Sequence, residues 1–204
     1  MDAGIGKEER STLSSAGERF EVGSGGVRLW EMERSTGTVI RLTKLTESSL
    51  IVHWLTAENG LIKTVAKGAR GRKSAFAGKL DLFVEAELIW RRARTSELHA
   101  LTDLDVLSYR EGLRASYGQT VTATYFCQLL ERFVEPQTEV PELYDLLQRG
   151  LSYLEEKLEV KGVAHFERQL AQLAGVGEDG RALKNHLGDL PATRKQIQEI
   201  LGEW

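Results

Sequence analysis

The sequence predicts an α+β chain in which strands come first and helices second: a small five-stranded barrel followed by an all-α domain. Two periodicities carry this prediction. Apolar residues alternate with period 2 between Thr38 and Leu107, and from Val121 onward they recur every 3.6 residues. A third observation bounds the barrel: five strand-like runs fall within about 70 residues and are joined by short turns, which suits a closed or nearly closed ring. The 204 residues leave room for one or two small domains. They divide into a disordered tail at 1–35, a barrel domain at 36–108 and a helical domain at 109–204.

The tail is set apart by what it lacks. Residues 1–31 hold six of the 20 glycines, and their apolar side chains stand isolated at Leu13, Phe20, Val22, Leu29 and Trp30. Too little apolar surface can be buried there to offset the entropy of ordering. A compact apolar stretch of the kind a secretory signal needs is absent. Met32, the only methionine besides Met1, directly precedes the first strand-like run. That position suggests a translation start at Met32, with residues 1–31 a gene-model extension.

The strands follow in order. TVIRLTKL places Ile40 and Leu42 on one face and Val39 and Arg41 on the other. SLIVHWLT sets Leu50, Val52 and Trp54 against Ile51, His53 and Leu55, a strand buried on one side and partly on the other. Asn59-Gly60 then favours a primed two-residue hairpin turn, because both residues tolerate positive φ. Leu61–Ala69 forms the third strand. LDLFVEAELIW is the fourth, with Leu80, Leu82, Val84, Ala86, Leu88 and Trp90 on one face, and ELHALTDLDVL is the fifth.

In the helical part, Phe126, Leu129, Leu130 and Phe133 mark a first helix over Val121–Val134. Leu143, Leu146, Leu147, Leu151, Leu154 and Leu158 mark a second, with Pro141 in its first turn. Val163, Phe166, Leu170 and Leu173 mark a third, capped at Gly175. A Gly/Asp break precedes a last short helix in PATRKQIQEILGEW.

The formal net charge of −3 conceals a segregation. Residues 1–35 are net −2, 36–107 net +3 and 108–204 net −4. Between Glu58 and Asp81 there is no acid, yet Lys63, Lys67, Arg70, Arg72, Lys73 and Lys79 all fall there, among glycines that would let a phosphodiester backbone approach closely. Arg91, Arg92 and Arg94 form a second basic group. Trp54, Phe76, Phe83 and Trp90 are near enough to suggest base-stacking platforms. Trp54 and Trp90 fit the strand faces and read as core, whereas Phe76, inside the basic loop, is the better stacking candidate.

Chemistry is sparse. One cysteine excludes an internal disulfide and a four-thiolate zinc site. Cys127 reads as a buried thiol. His53, His99, His165 and His186 are scattered, and no phosphate-binding loop, dinucleotide fingerprint or nucleophile elbow occurs. Nothing reads as an active site, and no metal or cofactor is expected. No apolar run approaches the length of a membrane span.

The stretch TESSLIVHWLTAENGLIKTVAKGARGRKSAFAGKLDLFVEAEL, with its A-K-G-A-R signature, K-S and L-x-x-F, resembles the first domain of the bacterial RecO recombination-mediator family. Phe166, Glu167, Leu170, Leu173 and Gly175 resemble that family's F-E-x-x-L-L-x-x-L-G helix. The resemblance implies an N-terminal OB-fold, a helical C-terminal domain and a cytoplasmic, nucleoid-associated, non-enzymatic DNA repair protein. It implies binding of single- and double-stranded DNA and strand annealing. The implied partners are RecR and the acidic C-terminal tail of single-stranded DNA-binding protein, leading to RecA loading. Many members carry a four-cysteine zinc module after the F-E-x-x-L-L helix. Here GVGEDGRALKNHLGDL stands in that place, so zinc should be absent and a shorter loop should replace it.

Carried onto this chain, DNA phosphate contacts fall first to Lys67, Arg70, Arg72 and Lys73, then to Arg41, Lys44, Lys63, Lys79 and Arg91. An acidic, Phe-ended tail requires an apolar pocket rimmed by bases, for which Phe126, Phe133, Arg132 and Arg149 are the candidates. A protein-only adaptor with a merely solvated basic loop is the alternative, and an RNA-binding barrel is the third reading.

Overall fold

A computed structural model describes residues 32–203. Residues 1–31 of the expected tail, and with them the suggested gene-model extension, lie outside the described residues, whereas residues 32–35 lie within them. Five strands, β1 (Met32–Lys44), β2 (Leu50–Thr56), β3 (Gly60–Ala66), β4 (Glu85–Arg91) and β5 (Leu98–Ser108), close into a barrel in the order β1-β2-β3-β5-β4. All neighbours are antiparallel except β3 and β5. This is the five-stranded OB-fold barrel. Following paired residues once round the ring, Thr43, Ile51, Val65, Ala100, Arg91 and Met32, returns to β1 eleven residues from the start. A stagger that large tilts the strands steeply, and steep tilt gives five strands an interior wide enough for side chains.

Trp54 and Trp90 fill that interior with Val52, Ile62, Val84, Leu88 and Leu104, as the strand faces predict. Each indole is satisfied: Trp54 Nε1 donates to Thr64 Oγ1 at 2.9 Å and Trp90 Nε1 to Ser35 Oγ at 3.1 Å. Ser35 belongs to β1 rather than to a tail, because β1 pairs with β4 from Met32 onward. The faces of β1 differ from the simple alternation. The register skips Ile40 between the pairs Val39–Trp54 and Arg41–His53, so Val39 and Leu42 face the barrel core while Ile40 turns toward the helices.

The first hairpin also differs. Thr56 pairs with Gly60 across a three-residue loop, and only Gly60 takes positive φ, at 58°. Thr56 Oγ1 accepts from Asn59 N–H and donates to the Gly60 carbonyl, which fixes the longer loop. The third strand ends at Ala66, not Ala69. The fourth begins at Glu85, because Phe83 at φ 67° breaks the run that starts at Leu80.

Beyond a 3-10 turn at Glu111–Arg114 come five helices: α1 (Tyr117–Leu130), α2 (Pro141–Glu156), α3 (Val160–Leu173), α4 (Gly180–Leu187) and α5 (Thr193–Leu201). Ser116 caps α1 by accepting from Gln119 N–H, which starts it four residues before Val121. Pro141 opens α2 as expected. Gly175, at φ 68°, ends α3, with Gly175 N–H on the Gln172 carbonyl and Val176 N–H on that of Ala171, a Schellman arrangement. Where a loop is expected after α3, Asp179 caps a true helix, α4, whose Leu183 is fully buried. Cys127 is buried on α1, and burial pushes its thiol pKa well up.

Barrel and helices share one apolar core. Ile40, Leu55 and Phe83 cluster with Leu113, Leu129, Leu147 and Leu151. Beside that core, Arg110 crosses the junction. Its guanidinium reaches Glu85 on β4 and Gln148, Ser152 and Glu155 on α2.

Candidate nucleic-acid interface

The acid-free stretch 67–80, in the loop between β3 and β4, is ordered by its own backbone. Gly71 N–H bonds to the Gly68 carbonyl, Ser74 to Gly71, Ala77 to Ser74 and Lys79 to Phe76, each closing a four-residue turn. The loop is also tied to the β1–β2 turn. Arg70 N–H donates to the Ser48 carbonyl at 3.0 Å, Gly68 N–H to Ser49 Oγ at 3.3 Å, and an Arg70 guanidinium N–H to the Glu47 carbonyl at 3.2 Å. Phe76 does not project for stacking. It is 8% exposed and closes one end of the barrel core.

On this frame Lys67, Arg70, Arg72 and Lys73 stand exposed. Among the described residues, Lys67, Arg72 and Lys73 have no ion-pair partner. Lys44 lies at the same end, in a surface pair with Glu47 at 2.6 Å. Lys79 is diverted: its Nζ donates to the Leu104 carbonyl at 3.0 Å, so it braces the barrel.

The remaining strand candidates lie on the barrel wall. Pairing carries Arg41, His53 and Lys63 across β1, β2 and β3 as one row. Arg91 sits at the end of β4, opposite Met32 and Ala100. All three members of the row already lie against carboxylates. Lys63 is 3.2 Å from Glu97, and Arg41 pairs with Glu131, just beyond α1. Glu131 is also 3.5 Å from His53 Nδ1. Burial opposes its charge, but the hydrogen bond from His53 and the Arg41 charge outweigh that and hold its carboxyl below the usual value.

The helical candidates separate into two places. Phe126 and Arg149 meet in a groove of about 470 Å³ between α2 and α3. Its floor is Phe126, Leu146 and Phe166, the two rings stacked at 3.7 Å, and Tyr153 forms a wall. Lys161, His165 and Arg168 join Arg149 on the rim. Sequence reasoning missed these three, although their spacing of four and three residues sets them on one face of α3. Phe133 instead stacks on His186 at 5.6 Å, and Arg132 donates to the Asp189 carbonyl. Among the described residues no three His, Cys, Asp or Glu side chains gather to hold a metal ion, and no helix is long and apolar enough to cross a membrane.

Comparison with known proteins agrees with this division. A family model described as recombination protein O N terminal matches residues 31–110, and one described as recombination protein O C terminal matches 114–180. The DNA repair protein RecO of Pasteurella multocida is 34% identical over 146 residues, covering 70% of this chain and 59% of that protein. RecO of Gloeobacter violaceus is 34% identical over 145 residues, covering 71% and 54%. That of Nostoc sp. PCC 7120 is 32% identical over 149 residues, covering 70% and 50%. The chain thus spans between half and three-fifths of the length of these relatives.

Proposed function

Because the chain belongs to the RecO family of DNA repair proteins, we propose that it is a non-enzymatic recombination mediator that binds single- and double-stranded DNA through the basic end of its barrel. One observation carries this reading: Lys67, Arg72 and Lys73 are held outward on a hydrogen-bonded stretch, residues 67–80, that contains no carboxylate. Such a loop contacts phosphates without first breaking internal ion pairs and without a large ordering cost. Bound strands brought together on this surface would anneal, because neutralised phosphates repel each other less.

The α2–α3 groove supplies the protein contact. An apolar floor with Arg168 on its rim beside Arg149 and Lys161, which pair with Asp145 and Glu159 in the free chain, suits an acidic peptide ending in an aromatic residue, the chemistry of the tail of single-stranded DNA-binding protein. That tail, DNA and RecR then join this chain in one complex that prepares strands for RecA. The adaptor reading rests on the same groove without the loop.

A salt series of oligonucleotide titrations, followed by fluorescence anisotropy, tests the proposal. Four phosphate contacts give a slope of log K against log salt of about −3 for single strands. Lys67→Glu with Arg70→Glu lowers affinity for any sequence. An unchanged affinity in that double variant, or no binding at low salt, leaves the adaptor.

A further inference from the structure

The cleft between barrel and helices brings together two arginines that the sequence assigns to different tasks. Arg41 of β1 and Arg132 beyond α1 line one cavity of about 350 Å³ with Gln128, Glu131, Pro191 and Ala192. Inside it, one Glu131 oxygen takes the Arg41 guanidinium and the other lies 3.5 Å from His53 Nδ1. Arg132 donates only to the neutral Asp189 carbonyl and has no ion-pair partner among the described residues. A carboxylate bridging a guanidinium and an imidazole, beside a second arginine without a counter-ion, is placed as a phosphate would be.

We propose that this cleft is a phosphodiester site on the path of bound DNA, and that Glu131 occupies it in the free protein as an internal stand-in for phosphate. The proposal rests on the DNA-binding reading above. A strand laid along the row Lys63, His53 and Arg41 arrives at the cleft mouth with Arg132 on its far side. While Glu131 stays between Arg41 and His53, its charge repels an incoming phosphate. When it is displaced, two arginines from opposite sides of the junction close on the same backbone. Glu131 therefore restrains how far DNA engages the helical domain.

The test uses the full chain and a fluorescent oligothymidylate in a salt series. Glu131→Gln keeps an acceptor for Arg41 but removes the charge. It raises affinity about threefold or more and steepens the salt slope by about 0.7 for each further phosphate neutralised. Adding Arg132→Gln abolishes that gain. Should Glu131→Gln loosen the junction, as a thermal melt would show, Ala192→Glu carries the opposite expectation. An acid at the start of α5 favours the helix, yet it places a negative charge in the cleft and lowers affinity. Unchanged binding in both Glu131→Gln and Ala192→Glu overturns the proposal, as does a gain that survives Arg132→Gln. If the wild-type chain shows no salt-dependent binding, the DNA reading falls with it. If wild type binds and Lys67→Glu with Arg70→Glu weakens it, failure of the cleft variants overturns the cleft alone.

Discussion

At Gly60 a Cβ would stand 2.5 Å from the Glu135 carbonyl oxygen and 2.6 Å from that of Thr138, on a backbone at φ 58°. Strain and collision act together, so Gly60→Ala costs about 2 kcal/mol, measurable by urea unfolding. His99 gives a pH prediction. It is stacked on Trp90, and burial, helped by Arg92 and opposed by Glu33 and Glu97, lowers its pKa below 6.5. The unfolded chain then binds more protons than the folded one in that window. Stability is full above pH 6.5 and is lost as pH falls through the folded value. A His99→Asn variant keeps a polar group there and loses that dependence, so melting temperatures of the two proteins taken at pH 7.5 and 5.5 should separate them. Equal pH dependence would contradict it. The turn glycine was legible in the sequence because Asn-Gly punctuates two strands. The fate of Phe76 was not, because its lysine and arginine neighbours describe the loop surface and say nothing of the open barrel end beneath.

Among the elements, α2 and α3 were readable because each carries four or more apolar residues on one stripe. The short α4 was not, since only Leu183 and Leu187 mark its face, and eight residues give a periodicity too little length to register. Its cap is nevertheless in the sequence: Asp179 accepts from Ala182 N–H at 2.9 Å. Asp179→Ala should cost about 1 kcal/mol. Hydrogen exchange should place the loss in α4, with the barrel strands unaffected. The strand run beginning at Leu80 misled for a different reason. Alternation continues through Phe83, but positive φ there turns the chain, so Leu80 packs with the barrel and Leu82 with the helices.

For the whole molecule, the fold class was legible because two periodicities occupy separate halves of the sequence, and the basic loop because acids are absent from it. Which bases remain without an internal partner was not, since the carboxylates that pair with them come from far away. Arg41 meets a residue 90 positions distant and Lys63 one 34 positions distant. The junction itself depends on Arg110, whose guanidinium joins β4 to α2. Its side chain is 9% exposed, and Glu85 and Glu155 are partly wet, so Arg110→Ala should cost roughly 2–3 kcal/mol, below the full loss of a dry pair. Equilibrium denaturation reads this directly. An unchanged midpoint would mean that the shared apolar core holds the halves together unaided.

The ring order has a consequence for the nascent chain on the ribosome. β1 is made first, yet one of its two edges waits for β4, with Thr38 pairing to Glu85. β3 waits for β5, its parallel neighbour, with Val65 pairing to Ala100. A chain that has emerged only as far as Arg91 therefore carries bare edges on β3 and β4, exposed to pairing with other nascent chains. The helices close over contacts nearer in sequence and need no such delay. The time that residues 91–108 take to emerge thus sets how long the newborn barrel remains open to misassociation.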